Sequence, residues 1–208
     1  MQRVAIAVAG ATGSGKSTLA HAVARALGGT VLHTDDYYRP LDHLTFAERC
    51  FVNFDHPDAV DHAALSRDLR RLLDGRAIDG PQYDFSRHTR SVRRRIVQPA
   101  PVVVVEGVFA LAYPAVADQC DVRIAVETVE AECLRRRIQR DVTERGRTPE
   151  EVIQRFTQHV APMFREFTLP TLNRAHLRVS GERDLAANVD RVAAFARSRT
   201  GTEALIAV

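Results

Sequence analysis

The chain has 208 residues, 45% of them hydrophobic, which suits one α/β domain spanning 1–208 with a sizeable core and excludes a disordered chain. Net charge is only +3 at a pI near 9.0, and the arginines form short clusters interspersed with acids, a pattern that fits a small polyanion better than a nucleic-acid backbone. There is no apolar run of membrane-spanning length and no signal peptide, and Cys50, Cys120 and Cys133 form no C-x-x-C pair, so the expectation is a cytoplasmic protein with reduced thiols and neither a membrane nor a nucleic-acid partner.

Val4 to Ala9 is an apolar run that reads as a buried parallel strand, and Thr18 to Leu27 is an Ala/Leu-rich helix. Between them Gly10-Ala11-Thr12-Gly13-Ser14-Gly15-Lys16-Ser17 fits G-x-x-x-x-G-K-[ST]. In that strand–loop–helix context the glycines let backbone N–H groups converge on phosphate oxygens at a helix N-terminus. Lys16 reaches the β- and γ-phosphates in such loops, and the Ser17 hydroxyl holds Mg²⁺. Lys16 is also the only lysine among 29 Lys and Arg residues. A compact ammonium is needed at this position, where a planar guanidinium does not fit.

Gly28-Gly29 closes the helix, and Thr30 to Thr34 reads as a second strand running into Asp35. Leu41 to Asp58 is a polar and aromatic loop with a helical turn near Thr45 to Arg49. Asp58 is placed to cap a helix from Ala59 to Leu73. Ala77 to Pro99 lacks helical periodicity and reads as a β-hairpin-like insertion. Pro101 to Glu106 (PVVVVE) is the strongest strand, apolar enough to be buried on both faces. Val108 to Val116 reads as a helix or turn and Cys120 to Glu127 as a strand. Glu130 to Arg145 is a helix crowded with arginine and stopped by Gly146. Pro149 opens the next helix, to about Phe167. Ala175 to Val179 is a weak strand and Leu185 to Arg197 a terminal helix, while the tail from Gly201 is either frayed or packed. The alternation implies an α/β fold with a mainly parallel five-stranded sheet flanked by helices, the P-loop NTPase fold.

Ligands of open parallel sheets sit beyond the carboxyl ends of the strands. Asp35 falls there, where it can act as general base on a phosphoryl acceptor or simply cap a turn. Glu106 ends a wholly apolar strand, and a carboxylate so placed needs a metal or a cationic partner. The arginines of the 130–148 segment are either a solvated face or a lid that closes over phosphates and excludes water. Asp55, Tyr83, Phe85 and His88 can pack loops, or together supply the aromatic faces and polar groups that a planar base and a sugar require.

With these pieces in order, the chain resembles the uridine kinase (uridine–cytidine kinase) and phosphoribulokinase group. The resemblance runs from the phosphate loop to about Pro170. It is carried by Asp35-Asp36-Tyr37-Tyr38-Arg39, Asn53-Phe54-Asp55-His56-Pro57-Asp58-Ala59, Tyr83-Asp84-Phe85 with His88-Thr89-Arg90, Glu106-Gly107, and Arg136-Arg137-Ile138-Gln139-Arg140-Asp141 leading to Glu144-Arg145-Gly146-Arg147.

The resemblance implies transfer of the γ-phosphate of ATP or GTP to the 5′-hydroxyl of uridine or cytidine, with Mg²⁺. Asp35, Lys16, Arg140 and Arg145 would then be catalytic, and Ser17, Asp35 and Glu106 would surround the metal. Gly10 to Thr18 and Asp184 would bind the donor. Tyr38, Phe54, Asp55, Tyr83, Phe85, His88, Arg137, Arg147 and Arg155 would bind the nucleoside. The family also suggests a homotetramer. Departures concern specificity. Arg155 stands where relatives commonly carry glutamine, and Asp36 where serine is common. The alternatives are a kinase for another small hydroxyl acceptor and a non-catalytic NTP-binding module.

Overall fold

The computed structural model describes residues 3–201, so the tail beyond Gly201 lies outside the described residues. Strand β1 (Val4–Gly10) is buried throughout. Its residues alternate in size. Ala5, Ala7 and Ala9 face one side of the sheet, and Val4, Ile6 and Val8 face the other. Helix α1 (Lys16–Ala26) packs Leu19, Ala20 and Val23 against the larger residues. Strand β2 (Thr30–His33) follows, then a 3₁₀ turn over Thr34–Tyr37 that carries Asp35. The short α2 (Phe46–Arg49) has a Thr45/Glu48 capping box.

Helix α3 (His62–Leu73) starts later than the sequence implies, and its cap is Asp61, which accepts from the Ala64 amide at 3.0 Å, rather than Asp58. The reason lies in Val60. It is held extended by a bridge to Tyr38, so the 3₁₀ turn over Pro57–Ala59 stops there and α3 begins only after Asp61. The insertion is two nested antiparallel pairs, β3 (Ile78–Gly80) with β6 (Arg95–Val97) and, inside them, β4 (Tyr83–Asp84) with β5 (Thr89–Arg90).

Strand β7 (Val102–Glu106) places four valines at 0% exposure. Each contributes about 1.5–3 kcal/mol on burial, which drives the segment between two other strands. The short α4 (Pro114–Ala117) leads to β8 (Val122–Glu127) and then to α5 (Glu130–Arg145), which ends at Gly146 in the left-handed conformation. The following helical path is longer and less regular than one helix to Phe167. It comprises α6 (Pro149–Arg155), a wide π-helical stretch over Phe156–Val160, α7 (Ala161–Met163), a second π stretch over Phe164–Thr168, and a 3₁₀ turn to Arg174. Each wide stretch ends two residues before a proline, Pro162 or Pro170. Proline brings no N–H donor and crowds the preceding turn, and local widening of the helix accommodates it. Strand β9 (Leu177–Ser180) and helix α8 (Leu185–Thr200) complete the described chain.

The main sheet has the order β2-β7-β1-β8-β9 and is parallel throughout. β1 therefore sits at its centre, and the strands that follow it in the sheet run off to both sides. The crevice at that reversal, beyond the carboxyl ends, is where ligands bind in such sheets. Residues 10–17, Asp35 and Glu106 all lie there.

Candidate active site

The loop after β1 is shaped by close backbone contacts. Gly13 adopts φ +77°, and a Cβ there would stand 2.3 Å from the carbonyl oxygen of Cys133 on α5. The loop and the arginine helix are thus in direct contact, and only glycine permits it. Lys16 is 9% exposed, with Nζ donating to the Ala11 carbonyl at 3.4 Å. Ser17 Oγ donates to Glu106 Oε2 at 3.0 Å.

Glu106 is 6% exposed and ends β7 beside His33, the last residue of β2. His33 Nδ1 lies 2.6 Å from Glu106 Oε1. Burial pushes the Glu106 carboxyl upward, but the His33 hydrogen bond and the nearby Lys16 charge outweigh it and hold the group below the ordinary carboxylate range. Asp35 moves the other way. Burial and the charge of Glu106 raise it, and Lys16 and Arg145 offset only part of that. Two carboxylates with opposite shifts thus sit at one sheet edge, one kept ionised and one made more basic, as a metal ligand and a proton acceptor require.

Ser17, Asp35 and Glu106 together offer only hard oxygen donors, the set that suits Mg²⁺. Among the described residues no three His, Cys, Asp or Glu side chains gather into a metal cage. Mg²⁺ travelling with a nucleotide takes only one or two carboxylates from the protein.

A cleft of about 590 Å³ begins at Thr12, Lys16 and Ser17 and passes Asp35. It continues to every residue assigned to the acceptor from sequence, namely Tyr38, Phe54, Asp55, Tyr83, Phe85, His88, Arg137, Arg147 and Arg155. Its far wall is aromatic. His88 has φ +51°, a conformation few non-glycine residues adopt, and its ring stacks on Phe54 at 5.6 Å and 19°. Tyr38 meets Tyr83 and Phe54 edge-on at 5.0 and 5.4 Å. The Tyr83 hydroxyl is buried and lacks a hydrogen-bond partner in the protein, so a polar ligand atom can take that place. Burial, then the charges of Arg147, Arg155 and Arg145, hold the His88 imidazole below its ordinary value, so the ring is neutral at neutral pH. Burial raises Asp55, against the pull of Arg137, His159 and Arg155. His159 and Gln158 also line the cleft. No pattern in the sequence singles them out, because they stand in an ordinary polar run, Gln154-Arg155-Phe156-Thr157-Gln158-His159, with no motif spacing.

The arginines converge on one buried acid. Asp141, 0% exposed, lies 2.8 Å from Arg140, 3.2 Å from Arg147, 3.5 Å from Arg145 and 3.6 Å from Arg137. Burial opposes its ionisation, but Arg140 and Arg145 prevail and hold it below the ordinary range. Sequence reasoning left Asp141 without a role, though its spacing four residues from both Arg137 and Arg145 is the signal for such pairs. Arg145 also lies over the Phe85 ring at 4.5 Å, tying α5 to the inserted hairpin.

A second cavity, of about 460 Å³, lies on the other side of the phosphate loop. Gly13, Gly15, Lys16, Ser17 and Thr18 line it together with Arg136, Arg140, Gly181, Arg183 and Asn188. Lys16, Ser17 and Arg140 border both cavities. Ser14 is fully buried. Asp184 is used elsewhere, accepting from the Ala187 amide at 2.9 Å to cap α8, and does not line this cavity. The three cysteines are free thiols. None of the described helices is long and apolar enough to cross a membrane.

The chain is similar to known proteins in sequence and in fold. The uridine kinase of Shewanella piezotolerans is 40% identical over 86% of this chain and 87% of its own length. That of Halobacterium salinarum is 40% identical over 89% of this chain and 84% of its own length. Among solved structures, one described as a fructose transport system kinase from a Silicibacter species matches 86% of this chain and 90% of its own, with TM-score 0.69 at 24% identity. Shikimate kinase from Bacteroides thetaiotaomicron matches 92% of this chain and 97% of its own, with TM-score 0.51 at 16% identity. These two likenesses show the P-loop kinase fold. The family model described as phosphoribulokinase/uridine kinase matches residues 5–186, from the first strand through the start of α8, and this chain is therefore a member of the phosphoribulokinase/uridine kinase family.

Proposed function

We propose that this protein is a nucleoside kinase that transfers the γ-phosphate of ATP, or GTP, to the 5′-hydroxyl of uridine or cytidine, giving UMP or CMP in pyrimidine salvage. The observation that carries this reading is the continuity of the 590 Å³ cleft, which joins Lys16, Ser17 and Asp35 to an aromatic and polar end formed by Tyr38, Phe54, Asp55, Tyr83 and His88. A flat base fits between aromatic faces, and Asp55 is the acceptor for ribose hydroxyls.

In this reading the acceptor oxygen forms a bond to the γ-phosphorus while the bond to the β–γ bridging oxygen breaks. The acceptor proton passes to the Asp35 carboxylate, and the nucleoside diphosphate leaves. Lys16, Arg140 and Arg145 stabilise charge on the transferring group, and arginines so placed contribute about 10³- to 10⁵-fold. Ser17, Asp35 and Glu106 would hold Mg²⁺, which on binding neutralises phosphate charge. The lid formed by α5 excludes water and so keeps the donor from hydrolysis. The enzyme works in the cytoplasm on small molecules, and the family resemblance adds a homotetramer, which light scattering checks.

A panel of acceptors in a coupled ADP assay tests the proposal, with ATP and GTP in parallel. Turnover with uridine or cytidine and little with sugar phosphates, pantothenate or water is expected. Sites that hydrogen-bond their substrate reject analogues by about 10⁴-fold. Turnover of a non-nucleoside with none of either pyrimidine nucleoside overturns the choice of acceptor. Acceptor-independent ADP release, or none at all, overturns kinase activity.

A further inference from the structure

The geometry points to His33 as a positioning residue that holds Glu106 in the orientation required to bind the metal. The inference rests on the reading of Glu106 as a metal ligand. Its basis is the register of the two strands. β2 and β7 run parallel with His33 paired to Glu106 at their carboxyl ends. Val104 and its partner Val31, two pairs earlier and so on the same faces, pack in and against the cluster under α1. His33 and Glu106 therefore emerge together beneath the start of α1, where Ser17 lies.

Glu106 receives two side-chain hydrogen bonds, one on each oxygen. Ser17 Oγ engages Oε2 at 3.0 Å, and His33 Nδ1 engages Oε1 at 2.6 Å. The two anchors are not equivalent. Ser17 would divide its hydroxyl between two partners, its oxygen lone pairs toward a cation and its O–H still toward Glu106. His33 has no other role in the site, so its bond persists and fixes the plane of the carboxylate. The His21 ring packs against His33 at 5.0 Å, and this backing limits rotation of the imidazole. The titratable and charged groups around the pair are Lys16 at the loop, Asp35 and Asp36 on the following turn, His21 on α1 and Arg95 on the insertion, which pairs with Asp36 at 3.7 Å. None of these takes the place of the hydrogen bond.

Partners that orient a metal ligand are worth about 10- to 100-fold in metal affinity. Mn²⁺ binding to the full chain with a non-hydrolysable ATP analogue, followed by electron paramagnetic resonance, measures this without turnover. His33→Phe keeps a ring against His21 but removes the donor. It is expected to weaken Mn²⁺ binding by about 10- to 100-fold. His33→Asn sets an amide N–H near the position of Nδ1 and is expected to recover most of the affinity. Binding of the analogue without metal is expected to be unchanged in both variants. Wild-type Mn²⁺ affinity in both His33 variants, while Glu106→Gln loses it, overturns the role of His33 and leaves Glu106 as a ligand. Wild-type affinity in Glu106→Gln overturns the reading of Glu106, and the inference with it. Equal loss in His33→Phe and His33→Asn, both folded, shows that the ring and not the hydrogen bond matters, which also overturns it.

Discussion

Asp35 and His88 carry the sharpest consequences of a single side chain's surroundings. Asp35 lines the cleft beside Lys16 and Ser17, and burial together with Glu106 raises its basicity. Asp35→Asn keeps the shape and removes the proton acceptor. Turnover is expected to fall about 10²- to 10⁴-fold, with nucleotide binding and thermal melting little changed. Near-wild-type turnover in a steady-state assay would remove Asp35 from its role. His88 makes a different prediction. Its ordinary value of 6.5 is lowered by burial and by Arg147, Arg155 and Arg145. The neutral ring therefore persists as pH falls through 6.5 and is lost only below it. The KM for the acceptor should accordingly stay flat from pH 8 to about 6.5 and rise at more acid pH. A rise already centred at 6.5 or above counts against neutral His88 as a contact to the acceptor.

Helix α5 works as a unit because four arginines share one carboxylate. Like charges so close repel, and Asp141 at 0% exposure is what makes the cluster tolerable. Removing one partner from a buried ionic group costs about 3–5 kcal/mol. In a chain of this size that corresponds to a melting point lower by about 6–20 °C. Asp141→Asn is expected to show such a loss in a thermal melt, together with a marked drop in kcat as Arg140 and Arg145 lose their placement. A melt within about 2 °C of wild type would mean that solvent already screens the arginines and the acid is dispensable. The register of β4 and β5 acts in concert with this helix, since it brings Phe85 under Arg145 at the cleft mouth.

The arrangement as a whole depends on strand ends meeting at one edge. Gly107, just past β7, has φ +152°, and a Cβ there would stand 1.7 Å from Thr34 Oγ1. The turn after β7 and the turn bearing Asp35 are therefore in van der Waals contact through a missing side chain. Gly107→Ala is expected to destabilise the protein by about 4 kcal/mol or more, through the clash and the strained backbone together. Chemical denaturation measures it, and a loss below about 1 kcal/mol would show that the turn can move aside.

Much of this was legible in the chain. The phosphate loop, the four-valine strand and the Gly146 stop each follow from local rules, because glycine conformation, apolar runs and helix caps act over a few residues. The start of α3 was misplaced because the bridge between Val60 and Tyr38 is long-range and competes with a plausible local cap. The π-helical stretches escaped for a related reason, since a proline at position 162 or 170 signals a break in the ladder but not how the chain absorbs it. The residues expected to bind an acceptor lie in separate segments and line one cleft only because the fold brings those segments together. The partnerships of Asp141 and of His33 with Glu106 belong to the same class. Residue types and their spacing determine which chemistry the chain carries. Which charges face one another, at what distance and how far from water, is decided only when distant segments pack, because electrostatic energies depend on separation and burial, and neither is a property of sequence order.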